Sequence, residues 1–200
     1  MRHLAIFITL IVLAINIQAQ NNLVEKTVSL IQKSYVIYES NPIHKDKSDS
    51  ITNFLHTSLK YYLKHNRKEV AYNKLDKAFK MLYNNSSSFY SDSPEERRMK
   101  LRRAACFASI ALITDLEKSF TYLDYAKYTL AEEIKNPNIE LLEEPYLGLL
   151  FLELLLKYET GRTFKNDLIN IKSFIQKNKE NISEEIIQNA NKIIIEYHKK

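Results

Sequence analysis

Glycine is almost absent from this chain, and its absence constrains the fold more than any other feature. The 200 residues include two glycines, Gly148 and Gly161, and four prolines. Phosphate-binding loops need glycine where the backbone approaches a ligand closely, and the turns of parallel α/β folds usually need it too. The prolines fall between long stretches of helical periodicity, where proline starts or ends a helix. The sequence therefore predicts an all-α fold without a phosphate-cradling loop.

Apolar residues recur with helical spacing along most of the chain. The pattern predicts about seven to eight helices, packed as stacked antiparallel hairpins. Two local signals define boundaries: Ser93 and Pro94 form a helix start, and Gly161 ends a helix. The predicted helices cover residues 23–39, 49–65, 67–84, 94–113, 115–135, 139–160 and 163–179, and a last one opens at 183–185.

The first 19 residues have the three parts of a secretory signal peptide. Arg2 and His3 form a basic start, residues 4–15 are apolar, and Ala19 is a small residue before a polar stretch. The apolar run is shorter than the about 20 residues that a membrane span needs. We therefore expect a signal peptide at 1–19 and one domain at 20–200, secreted or periplasmic, with no membrane span after cleavage. An uncleaved anchor is the alternative.

A small–large–small triplet with spacing i, i+4 and i+7 recurs along the chain. It occurs at Ala71, Leu75 and Ala78, and again 48 residues later at Ser119, Leu123 and Ala126; a further 48 residues on, Asp167, Ile171 and Phe174 keep the spacing without the small residues. Small residues let a neighbouring helix approach closely, so we expect burial of Leu75, Ala78, Leu123, Ala126 and Leu150.

The triplets resemble the second helix of a tetratricopeptide repeat, over roughly residues 49–179. The resemblance implies hairpins stacked in a right-handed superhelix that binds another protein. The period of 48 residues exceeds the about 34 residues of that family. The alternative is therefore an irregular helical bundle, in which the helices share the small–large–small spacing only because it is a common way to pack helices.

Residue patterns that carry catalysis or bind metals are absent from the sequence. His56 and His65 are nine positions apart on one predicted helix, so they face opposite ways. No His-x-x-x-His, Cys-x-x-Cys or His-Glu-x-x-His pattern occurs, and the single cysteine, Cys106, lies in an apolar helical stretch. Glu153 lies among leucines and is either ion-paired with Lys157, four residues on, or a buried acid. We expect no catalytic residue, no metal, no cofactor and no enzymatic activity.

Two clusters are the candidate partner-binding residues. Residues 97–103 concentrate arginine and lysine in two helical turns, and tyrosines recur every third position on the next predicted helix. Arginine and tyrosine dominate many protein interfaces. Antiparallel pairing of these helices would bring the clusters to one surface, made of Arg98, Arg102, Arg103, Tyr122, Tyr125 and Tyr128.

The sequence thus predicts an exported helical-repeat protein that binds a protein or peptide, and the basic cluster suits an acidic partner. A helical inhibitor or immunity-type protein that blocks one enzyme is the alternative, and an enzyme is the third class. Nucleic acid is not expected as a partner, because the protein is predicted to be exported and its net charge of +5 is modest.

Overall fold

The computed structural model describes residues 18, 21–35, 55, 104–105, 107–112, 116–134 and 142–200. These residues are almost entirely helical, and they include no β-strand. The all-α prediction is therefore confirmed for the described part of the chain. The predicted signal peptide apart from Gln18, the predicted helix at 67–84, and Arg98, Arg102 and Arg103 lie outside the described residues. Of the predicted helix at 49–65 only Leu55 is described; it is helical and fully buried.

The described helices, numbered in chain order, agree closely with the predicted ranges where the two overlap. Helix α1 covers residues 21–35, and α2 covers the helical residues 104–105 and 107–112. The remaining helices are α3 (Leu116–Ile134), α4 (Glu143–Glu159), α5 (Lys165–Lys177) and α6 (Glu184–Tyr197), with a 3-10 turn at Lys179–Asn181 between the last two. None of these helices is long and apolar enough to cross a membrane.

Helix α4 ends where the sequence predicts, and for the predicted reason. Gly161 adopts a φ of 66°, in the left-handed region that suits glycine. The Gly161 amide donates to the Tyr158 carbonyl, and the Arg162 amide donates to the Lys157 carbonyl. This pair of hydrogen bonds is the Schellman arrangement, which satisfies carbonyls that the helix end leaves open.

Helix α4 is the central element of the described structure. It contacts α3 on one side and α5 on the other. Its leucines point in every direction around the helix axis, and most are buried: Leu147, Leu149, Leu152, Leu154, Leu155 and Leu156, together with Phe151. A helix that is apolar all round needs neighbours all round, so this stretch determines where the core lies.

Helix α1 packs against α4 and against the last helix, α6. At Gly148 of α4 the backbone of α4 passes so close to Ser34 that a Cβ would lie 2.2 Å from the Ser34 Oγ. On the α6 side, the Thr27 hydroxyl lies 3.1 Å from the buried Tyr197 hydroxyl. Lys26 also pairs with Glu196 at 2.7 Å. The two contacts of α1 with α6 each join residues 170 positions apart, so the two ends of the described chain meet.

The packing triplet on α3 is buried as predicted. Ser119, Leu123 and Ala126 are all fully buried. Leu150 differs from the prediction, because it is only half-buried and packs at the edge of the core. Its position on the face of α4 between α3 and α5 leaves it at the bottom of an open groove. Leu75 and Ala78 lie outside the described residues.

Candidate binding groove

An open groove runs along α4, between α3 and α5. Its volume is about 910 Å³, at the upper end of the range for ligand pockets. Each helix contributes a row with the spacing of one helical face. The rows are Asp124, Lys127, Tyr128 and Ala131 on α3; Tyr146, Leu150, Glu153 and Lys157 on α4; and Asn166, Asn170, Ser173 and Lys177 on α5, with Asp167, Ile171 and Phe174 beneath the last row.

A chain of alternating charges crosses one end of the groove. The Lys127 Nζ lies 2.9 Å from Asp124 and 2.7 Å from Glu153. The Lys157 Nζ lies 2.8 Å from the other oxygen of Glu153 and 2.7 Å from Asp167. We call these five residues the ion chain. The predicted pair of Glu153 and Lys157 is therefore present, and Lys127 is a partner that the sequence does not reveal.

The ion chain lies in a partly desolvated place, since 16% of the Glu153 side chain is exposed. Burial by itself raises the pKa of Glu153, but hydrogen bonds and charge from both lysines outweigh burial and lower that pKa overall. Burial lowers the pKa of Lys127, and its two acidic partners more than compensate and raise it. Lys157 shows the same balance. These groups keep their charges near neutral pH, which does not suit them to proton transfer in that range.

Beyond the ion chain, the floor of the groove is apolar. The rings of Tyr146 and Phe174 lie 5.0 Å apart between centroids, which joins α4 to α5. Burial raises the pKa of Tyr146, so its hydroxyl stays protonated. We call this surface the apolar floor; it consists of Ala131, Tyr146, Leu150, Ile171 and Phe174.

Helix α5 borders the groove with polar side chains that form no hydrogen bond or ion pair with the described residues. We call Asn166, Asn170, Ser173 and Lys177 the polar ridge, and all four are exposed. The hydrogen bonds and ion pairs of the described residues involve none of these side chains. Along α5, donors and acceptors therefore face the groove without partners in the part of the chain that the structure describes.

The predicted tyrosine cluster divides into two parts. Tyr122 and Tyr125 pack together with Phe107 of α2, with ring centroids 5.5 to 6.4 Å apart. Tyr128 lines the groove instead, and it is 69% exposed. Tyr125 is 52% exposed, so the aromatic cluster and the groove each present a tyrosine to solvent.

Sequence reasoning missed most of the groove, although one signal was available. The polar ridge repeats at i, i+4, i+7 and i+11, which places its four members on one helical face. A polar face is ordinary on a surface helix, so the repeat alone did not distinguish a ligand-facing row from a solvated one. The ion chain joins three helices, and the sequence shows only its two local pairs, Asp124 with Lys127 and Glu153 with Lys157.

A smaller groove of about 230 Å³ lies between α1 and α6. Its lysines are largely occupied, since Lys26 pairs with Glu196 and Lys33 pairs with Glu185. Among the described residues, no group of three or more His, Cys, Asp or Glu could hold a metal ion. Comparisons with protein-family models, with curated proteins and with solved structures gave no match.

Proposed function

We propose that this protein is a binding module that holds a peptide segment of a partner protein in the groove between α3 and α5. One observation carries the proposal: the exposed polar ridge lies beside the apolar floor, and its side chains have no partners among the described residues. Internal packing explains the buried faces of α3, α4 and α5, but it does not explain an exposed polar ridge next to an apolar floor. We propose no catalytic activity, no metal and no cofactor.

A polypeptide matches the chemistry of the groove better than a compact small molecule does. The amides of Asn166 and Asn170 each offer a donor and an acceptor, the two groups that a peptide backbone presents at every residue. They lie one helical turn apart, so they contact successive parts of an extended ligand. The apolar floor next to them accepts side chains, which is how peptide-binding grooves obtain specificity.

The proposed scaffold is the irregular bundle rather than the open superhelix. In a superhelix of repeats each unit contacts only its neighbours, whereas α1 contacts α6 at Thr27 and Lys26. Packing of the repeat type remains part of the proposal for α3, where Ser119, Leu123 and Ala126 are buried. Export to the periplasm or the exterior is proposed from the pattern of residues 1–19.

A second candidate function rests on the other aromatic surface. Phe107, Tyr122 and Tyr125 form a cluster whose outer member is about half-exposed. Such an exposed aromatic surface suits an inhibitor or immunity-type protein that covers one enzyme. The predicted arginines Arg98, Arg102 and Arg103 belong to this candidate as further contacts with an acidic partner.

Peptide display tests the main proposal with a matched pair of variants. The purified protein is used to select from a displayed library of random heptapeptides. Asn170→Arg places a bulky cation in the groove, whereas Asn191→Arg makes the same change at an exposed asparagine of α6 that lines neither groove. We expect the wild type and Asn191→Arg to enrich the same peptides and Asn170→Arg to lose them. Equal enrichment by all three proteins would contradict the proposal.

The same selection separates the two candidates. Tyr125→Ala removes the exposed member of the aromatic cluster without touching the groove. Under the main proposal this variant retains the enriched peptides. Loss of the peptides in Tyr125→Ala, with retention in Asn170→Arg, would favour the inhibitor surface instead.

A further inference from the structure

We infer that the groove selects peptides by charge at both ends: a basic residue beside the ion chain, an apolar residue on the floor, and an acidic residue beside Lys177. The inference rests on the proposed function and adds the chemical class of the ligand. It commits to an extended peptide segment of a partner as the occupant, on grounds of charge complementarity along the groove.

The ion chain leaves a negative excess at its end of the groove. Its three carboxylates face two lysines, so one negative charge is uncompensated. Each lysine already contacts two acids, and Glu153 uses both of its oxygens. Asp124 and Asp167 each contact a lysine through one oxygen only, Oδ1. The acceptors that remain for a ligand are therefore on these two acids, and they attract a cation.

Lys177 provides the opposite charge at the far end. It is the last residue of α5, it is exposed, and it forms no ion pair with a described residue. Among the described residues of the groove, its neighbours on the same helix, Ser173 and Phe174, carry no charge that would neutralise it. A ligand carboxylate next to Lys177 gains an ion pair without displacing one.

The distance between the two ends determines the spacing of the charges on the ligand. Asp167 and Lys177 are ten positions apart on one helix, which corresponds to about 15 Å at 1.5 Å per residue. An extended peptide advances about 3.3 Å per residue, so charges about four positions apart match the groove. Ile171 and Phe174 lie between the two ends, where they meet the central residue of such a segment.

The groove between α1 and α6 does not compete for this ligand. Two of its lysines are in ion pairs that join the two helices, and its volume is about a quarter of that of the main groove. A ligand carboxylate that paired with Lys26 or Lys33 would have to displace an existing ion pair. The main groove, in contrast, offers its charges at the ends and leaves the ion chain intact.

The random heptapeptide selection tests the charge pattern directly when Lys177→Glu is included. With the wild type, we expect peptides with a basic and an acidic residue four positions apart around an apolar one, about fivefold above their frequency in the unselected library. With Lys177→Glu, peptides that are basic at both positions should replace them. Lys165→Glu makes the same charge change on α5 outside the groove, and it should keep the wild-type pattern.

Each outcome bears on one claim or the other. Enriched peptides without the charge pattern, or a pattern that Lys177→Glu leaves unchanged, would overturn the inference while the peptide-binding function stands. If the wild type enriches no peptide beyond what Asn170→Arg enriches, both the inference and the proposed function fail. Selection at higher salt should weaken the pattern, because Asp124 and Lys177 are exposed and their charges are screened.

Discussion

A single methyl group at Gly148 tests whether α1 docks on α4 as closely as the structure shows. The substitution Gly148→Ala would place the new Cβ 2.2 Å from the Ser34 Oγ, with the Ser34 Cβ at 3.4 Å and the Tyr35 Cε2 at 3.5 Å. The first distance is far below any real contact, whereas the other two are close to ordinary van der Waals separation. The cost of the methyl group therefore arises from one hydroxyl oxygen.

The expected magnitude follows from three contributions. Alanine is favoured over glycine inside a helix by about 1 kcal/mol. Overpacking a close helix contact costs about 1–3 kcal/mol. Rotating the Ser34 hydroxyl away breaks its hydrogen bond to the Ile31 carbonyl, which costs about 1 kcal/mol more. We therefore expect Gly148→Ala to lower the free energy of unfolding by about 1–3 kcal/mol.

A double-mutant cycle in urea, followed by circular dichroism, measures the effect. In a Ser34→Ala background the clashing oxygen is gone, so Gly148→Ala should be neutral or stabilise by up to about 1 kcal/mol. Gly161→Ala is the control. Nothing lies within 4 Å of a Cβ there, and its cost of about 1–2 kcal/mol comes from the left-handed backbone. That cost should be the same in the wild-type background and in the Ser34→Ala background.

The reasoning is refuted if Gly148→Ala is as stable as the wild type and its effect does not depend on the side chain at position 34. In that event α1 does not approach α4 at this point as closely as the structure shows. A change in the slope of the urea transition would show that the substitution altered the extent of folding rather than one contact.

Four further predictions concern other parts of the protein. Ala126→Leu should overpack the buried contact of α3 and cost about 1–3 kcal/mol; an unchanged thermal midpoint would contradict the packing. Glu144 accepts a hydrogen bond from the Ser183 amide at 2.6 Å, whereas the buried Ser183 hydroxyl has no partner among the described residues. Glu144→Ala should therefore lower the free energy of unfolding by about 1.5–3 kcal/mol, and Ser183→Ala by much less than the about 1 kcal/mol that loss of a helix cap usually costs. Urea unfolding of the two variants tests this difference. Burial raises the pKa of Glu159 from 4.5 to about 7, so its contribution to stability is complete below pH 4.5 and is lost as pH rises to about 7. After a discount for partial exposure, the free energy of unfolding should fall by about 1–2 kcal/mol over this pH range. Glu159→Gln should abolish this pH dependence, and a variant that still lost the same stability in urea melts between pH 4.5 and 7 would contradict the assignment. Finally, the proposed signal peptide predicts that the intact mass of the native protein corresponds to a start near Gln20, and a mass that includes residues 1–19 would indicate an uncleaved anchor instead.

The sequence by itself determined the helical class of the described residues and the end of α4. The all-α class followed from the scarcity of glycine, and Gly161 ends α4 because a helix terminus is satisfied by residues next to it in the chain. The pair of Glu153 and Lys157 was also predictable, since four positions bring two side chains together on any helix. These features depend on neighbours in sequence and need no knowledge of the rest of the fold.

Only the tertiary structure decided which helices meet and what the groove contains. Lys127 reaches Glu153 from 26 positions away, and Lys26 reaches Glu196 from 170. Apolar helical faces are chemically alike, so their sequences do not specify which face packs on which. Tyr128 shows the consequence: it shares a spacing with Tyr122 and Tyr125, yet the placement of Phe107 and of α5 puts it in a different surface.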